Sequence, residues 1–106
     1  MKTFKEYVEK KGVRLWLDDV RKPPRGWKWA KTYEQAVAIL ETGEVEAISF
    51  DHDLGEGKTG YDVAVWVEER AVAGQIERLW WKVHSQNPIG KLRIQAAMKS
   101  AERFWK

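Results

Sequence analysis

Apolar residues fall into two periods along this chain, and the periods alternate. Val13-Arg14-Leu15-Trp16-Leu17 is a short apolar run that stops at Asp18-Asp19. Val45 to Phe50 is a second, stopping at Asp51-His52-Asp53, and Leu79 to Val83 a third, stopping at His84-Ser85-Gln86-Asn87. Apolar runs of this length with polar boundaries predict strands. Trp27 to Ala30 predicts another short strand, after a loop from Arg21 to Gly26 marked by Pro23, Pro24 and Gly26.

Between these runs the spacing becomes helical. Thr32-Tyr33-Glu34-Gln35 has the form of a capping box. It opens a helix to about Glu41 with Tyr33, Ala36, Val37 and Leu40 on one face, ended by Gly43. Thr59 caps a helix to about Ala71, with Tyr61, Ala64, Val65 and Val72 expected against the sheet. Pro88 suits the first turn of a last helix, with Asn87 or Ser85 before it as cap. Thr3 caps a first helix, Phe4 to Lys10, and Gly12 stops it. Alternation of strand and helix predicts βα units and a mainly parallel sheet in one domain, residues 1–106, with 1–12 as a helical addition.

Composition narrows the picture. Apolar content of 43% beside 33% charged residues fits a folded soluble domain, and seven Trp enlarge a small core. The absence of Cys excludes disulfides, thiolate chemistry and Cys-based zinc sites. A net charge of +3, spread along the chain, is compatible with phosphate-bearing ligands but does not call for duplex nucleic acid. The charged N-terminus is unlike a signal peptide, and no apolar run reaches membrane-spanning length. The expected location is therefore the cytoplasm, with no membrane partner.

The chemistry concentrates at strand ends. In a parallel sheet all strand C-termini share one edge, and ligands bind just outside it. Asp18-Asp19, Asp51-His52-Asp53 and His84-Ser85-Gln86-Asn87 are therefore expected to converge. Each segment alone reads as a turn or a cap, but turns do not need four carboxylates and two imidazoles together. Gathered carboxylates repel, so Asp18, Asp19, Asp51 and Asp53 are expected to hold a divalent cation, Mg²⁺ or Mn²⁺. Arg21 offers a planar fork for phosphate, or a salt bridge to Asp18 or Asp19. Ser85 and Asn87, beside a helix N-terminus, are candidate phosphate donors, and either can serve as the cap as well. In an extended strand Asp51 and Asp53 share a face and His52 points to the other, which favours a packing role for His52 unless the strand has already ended.

Strand-Asp-Asp, strand-Asp and strand-Ser resembles the receiver domain of response regulators. By position Asp18 and Asp19 match that family's acidic pair, Asp51 its phosphoacceptor, Gly60 the glycine of the following loop, and Ser85 its hydroxyl residue. The chain departs from the receiver in three ways. The span from Asp19 to Asp51 is too short for the usual helix and strand together, no fifth strand with its lysine follows, and His84 has no counterpart. Leu15-Trp16-Leu17-Asp18-Asp19-Val20-Arg21 with Pro23 and Pro24, then Phe50-Asp51-His52-Asp53-Leu54-Gly55, then His84-Ser85-Gln86-Asn87-Pro88 more closely resembles the derived cyclic-phosphate-processing receiver domains, over about residues 13 to 100. The resemblance implies a truncated receiver-like, flavodoxin-like fold, a three-layer α/β/α sandwich of about four strands, with the first helix added. It also implies action on a cyclic phosphate. Such domains are frequent in phage and mobile-element genomes.

Two functions compete. One is a metal-assisted phosphoesterase acting on a cyclic nucleotide, with His84 and His52 as acid–base candidates and Asp51 at the centre. The other is a non-catalytic module that binds a phosphate ligand, a metal or a protein. Phosphorelay is weaker without the lysine. Single-stranded nucleic acid on Trp27 and Trp29, with Arg25, Lys28 and Lys31, is a further reading.

Overall fold

The computed structural model describes residues 12–105. The helix expected at Phe4 to Lys10 lies outside them. Strands β1 (Val13–Leu17), β2 (Lys28–Ala30), β3 (Val45–Phe50) and β4 (Trp80–Val83) alternate with helices α1 (Tyr33–Leu40), α2 (Gly60–Val72) and α3 (Pro88–Glu102). All strands run parallel, in the order β2-β1-β3-β4. This is the order of a flavodoxin-like sheet without its last strand. A loop joins β1 to β2 where the receiver has a helix, as the short span implies.

Local chemistry sets the helix starts. The Thr32 hydroxyl accepts from the Gln35 N–H at 3.1 Å, and the Gln35 side chain accepts from the Lys31 N–H at 2.8 Å. At α2 the Asp62 carboxylate reaches back to the Thr59 N–H at 2.7 Å and its hydroxyl at 3.2 Å. The Asn87 carbonyl caps α3 through the Gly90 N–H at 3.0 Å, and Pro88 follows it in the first turn. Each bond satisfies an N–H that the helix itself leaves open.

One face of the sheet carries the core. Leu15, Leu17, Ile48 and Phe50 are fully buried among Ala36 and Leu40 of α1, Val63 and Val67 of α2, and Ile94 and Met98 of α3. Right-handed crossovers from β2 to β3 and from β3 to β4 move in one direction along the sheet, so their helices share that face. Among the described residues the helices therefore form one layer, and the third layer of the expected sandwich is not among them. The inward stripe of α2 also differs in phase from the expectation. Gly60, Val63, Ala64, Val67 and Ala71 are buried, whereas Val65 is half-buried and Val72 is 56% exposed. Gly60 sets the phase, because it presses against the Asp51 carbonyl at the start of the helix.

The opposite face is a set of rows. Trp29, Trp16, Ser49 and Lys82 lie in register across the four strands, and Arg14, Ala47 and Trp80 form the next row. None of the described helices packs there, and none is long and apolar enough to cross a membrane.

Candidate functional site

Leu17, Phe50 and Val83 are in register, so the residues after them leave the sheet at one level. Backbone bonds continue the ladder: Asp51 N–H to Leu17 C=O and His84 N–H to Phe50 C=O, both 2.9 Å, and Asp18 N–H to Ala30 C=O at 3.0 Å. Asp18, Asp51 and His84 therefore emerge side by side, as expected of a parallel sheet. Asp18, Asp19 and Asp51 each bring a carboxylate oxygen within 4.8 Å of the others.

Asp18 is the fixed member of this group. It is buried, with 3% exposure. One oxygen accepts from the N–H groups of Val20 at 2.9 Å and Arg21 at 2.6 Å, and the other lies 3.0 Å from His84 Nε2. Burial alone would raise its pKa, but the bonds from Arg21, Val20 and His84 outweigh it, and the carboxyl sits below its ordinary value. Two indoles hold the backbone beside it. Trp16 Nε1 donates to the Arg21 carbonyl at 2.8 Å, and Trp29 Nε1 donates to the Asp18 carbonyl at 2.7 Å.

Both ring nitrogens of His84 are engaged, because Nδ1 lies 2.7 Å from the hydroxyl of the fully buried Ser49. The ring stacks on Trp16 at 3.9 Å between centroids and 3° between planes. Burial depresses its pKa against the pull of Asp18 and Asp51. A neutral ring that donates from Nε2 to Asp18 and accepts at Nδ1 from Ser49 satisfies every group in the chain.

Asp51 is the strained charge of the site. Burial pushes its pKa up, and the negative charge of Asp18 adds to this, against the His52 N–H at 2.8 Å and a hydrogen bond with Ser85. His52 follows the end of β3 and turns toward α3. Its ring fills the space over Gly90, where a Cβ would stand 2.3 Å from Cγ. Its Nδ1 lies 2.9 Å from Asp53 Oδ1, a bond that holds the Asp53 carboxyl below its ordinary value. Asp53 is thus grouped with His52 and with Asn87 Nδ2, at 3.4 Å, rather than with Asp18, Asp19 and Asp51.

Asp51 and Asp53 open onto a cleft of about 470 Å³, lined also by Arg21, Gln86, Asn87 and Pro88. The Arg21 guanidinium forms no ion pair with a described carboxylate, so the salt bridge to Asp18 or Asp19 is not made. Asn87 caps α3 with its carbonyl, and its amide nitrogen donates to Asp53 Oδ2 and stands 3.5 Å from His52 Nδ1. Ser85 accepts the Asn87 N–H at 3.1 Å. Neither histidine is among the lining residues. Sequence reasoning gave no role to Gln86, Trp16 or Ser49. A period of two would have placed Trp16 and Ser49 on the faces of Asp18 and Asp51, two positions upstream of each. Another hollow, of about 350 Å³, lies at the opposite edge between Leu40, Val45, Trp66 and Leu79 and holds none of the predicted site residues.

The sequence model of the cyclic-phosphate processing receiver domain matches residues 13–100. No curated protein and no solved structure shows significant similarity to the chain. The match spans the whole sheet, α1, α2 and most of α3, and includes every residue of the strand-end cluster, so the chain belongs to the cyclic-phosphate processing receiver domain family.

Proposed function

We propose that the chain is a phosphoesterase that opens the cyclic phosphate of a nucleotide in the cleft beside Asp51. The observation that carries this reading is one cleft lined by the Asp51 and Asp53 carboxylates together with Asn87 and with Arg21, whose guanidinium has no ion pair among the described residues. Asp18, Asp19 and Asp51 are hard oxygen donors at mutual distances that suit a divalent cation. Burial pushes the Asp51 carboxyl up and the Asp18 charge adds to it, a penalty on the ionised form that such a cation would offset. When bound, Mg²⁺ or Mn²⁺ shields phosphate charge and lowers the pKa of water.

The chain's own residues do the rest. Arg21 and the Asn87 amide hold the non-bridging phosphate oxygens. Asp51 orients the attacking water, accepting its proton and returning one to the departing ring oxygen. One P–O bond of the ring breaks, and the products are a phosphomonoester and a free hydroxyl. His84 acts through Asp18 rather than on substrate, since both its nitrogens are engaged. His52 holds Asp53 and the start of α3.

One observation favours the binding-module reading: no imidazole lines the cleft. Release of the ring-opened product from 2′,3′- and 3′,5′-cyclic nucleotides, with and without Mg²⁺ or Mn²⁺, separates the two. Turnover that falls by about 10²–10⁴-fold in Asp51→Asn supports the phosphoesterase. Binding by calorimetry without turnover leaves the binding module. Neither binding nor turnover removes the cyclic phosphate from the account.

A further inference from the structure

The sheet face opposite the helices carries a surface that the cleft chemistry does not use. Trp80 is 68% exposed at the β4 edge, and Trp27 stands across from it beyond Ala47, which is too small to fill the space between them. The resulting groove is about 210 Å³, and Lys82 lines it with its Nζ 5.4 Å from the Trp27 ring centre. Trp27 meets Trp16 edge to face at 6.1 Å, and Trp16 stacks on His84. At the β2 edge of the sheet Lys31 sits 4.4 Å from the centre of Trp29, the residue that holds the Asp18 carbonyl. Rings therefore lead from the open groove through Trp27 and Trp16 to His84, which meets Asp18. Arg14 is paired with Glu46, but Lys82 and Lys31 are in no ion pair among the described residues.

A core does not need an indole as exposed as Trp80, and Lys82 over Trp27 sets a cation in the groove, a residue type depleted in protein-binding patches. Flat rings with interleaved cations match the stacked bases and phosphates of a single strand. We propose that this face is a stacking platform for single-stranded RNA, with a base between Trp27 and Trp80 and the strand's terminal cyclic phosphate in the carboxylate cleft. Its placing of the terminus rests on the phosphoesterase reading. The strand is RNA because a terminal phosphate can cyclise only onto a ribose 2′-hydroxyl. Ala47 in the groove and Asp51 in the cleft lie four residues apart along β3 and its continuation, about 13 Å in extended chain. A base in the groove and a phosphate at the carboxylates can thus belong to neighbouring nucleotides.

The test uses the full chain and a short, fluorescently labelled single-stranded RNA ending in a 2′,3′-cyclic phosphate. The same strand ending in a 3′-hydroxyl and a free 2′,3′-cyclic mononucleotide serve as comparisons, with affinities from anisotropy and calorimetry. The strand should bind more tightly than the mononucleotide. Trp80→Ala should weaken strand binding by roughly 5- to 150-fold, the loss of one stacked base, and leave the mononucleotide unchanged. Lys82→Glu should weaken the strand further at low salt than at high salt. Both side chains are exposed, and circular dichroism checks that the fold survives. A strand that binds no better than the mononucleotide, or two variants that bind it as wild type does, overturns the platform. If the 3′-hydroxyl strand binds as tightly as the cyclic one and Trp80→Ala weakens both, the platform stands and the cyclic-phosphate reading falls.

Discussion

His84 shows how one side chain's surroundings decide its task. A histidine at a strand end beside a hydroxyl reads as an acid–base group, because imidazole titrates near neutrality. Here Trp16 covers its face, Ser49 its Nδ1 and Asp18 its Nε2. Asp18 in turn has no free rotamer, since its other oxygen is tied to two backbone N–H groups. His84 is therefore a positioning residue. His84→Gln should lower Mn²⁺ affinity by about 10–100-fold, the usual cost of losing a group that orients a metal ligand, with the calorimetric enthalpy curve as readout. Its pKa, depressed by burial, adds a signature in cation-free buffer. The unfolded ring binds a proton below about pH 6.5 and the folded ring resists it. His84 thus contributes stability that is present above that pH and is lost as pH falls toward the lower folded value. Thermal melts across this range should show wild type losing ground relative to His84→Gln; parallel curves would mean that the ring is not held neutral.

At the scale of elements, strands and helices were legible because period and caps agreed. The three apolar runs are β1, β3 and β4, and Thr32, Thr59 and Asn87 each cap the helix expected of them. Convergence of the strand ends was legible too, since parallel topology alone places Asp18, Asp51 and His84 on one edge. Two things were not. Apolar residues occur all around α2, so composition could not choose its phase, and Val72 faces solvent where Ala71 faces the core. The separation of Asp53 from the other acids depends on the turn after Phe50, where alternation no longer applies. Close approaches of the backbone were equally hidden. A Cβ on Gly60 would lie 1.8 Å from the Asp51 carbonyl oxygen, and one on Gly90 would enter the His52 ring. Gly→Ala in an ordinary helix stabilises by about 0.5–1 kcal/mol. Here the sign should reverse, with Gly90→Ala destabilising by about 1–3 kcal/mol in urea melts as His52 is displaced. Gly60→Ala should be worse, because its obstacle is backbone and cannot swing aside.

The whole molecule places its core on one face of a four-stranded sheet and its charges at one end. A small domain has a small margin, so the cost of keeping Asp51 ionised is a visible part of its stability. The folded protein holds Asp51 ionised against burial and a neighbouring charge. With the folded pKa above the unfolded one, deprotonation costs stability as pH rises through that interval, and the cost persists at neutral pH. Asp51→Asn should therefore melt above wild type at pH 7 without divalent cations. Adding Mn²⁺ should reverse the order. At about 100 times the Kd, ligand binding adds about 2.7 kcal/mol, which for a domain of about 100 residues corresponds to roughly 10–20 °C in Tm. Wild type should rise by that amount and Asp51→Asn should scarcely move, because it has lost a donor as well as the charge that the cation offsets. Scanning calorimetry of the two proteins, with and without Mn²⁺, measures all four temperatures. Equal shifts in both would place the cation elsewhere, and a variant that melts below wild type in its absence would mean that Asp51 sits in the fold without strain.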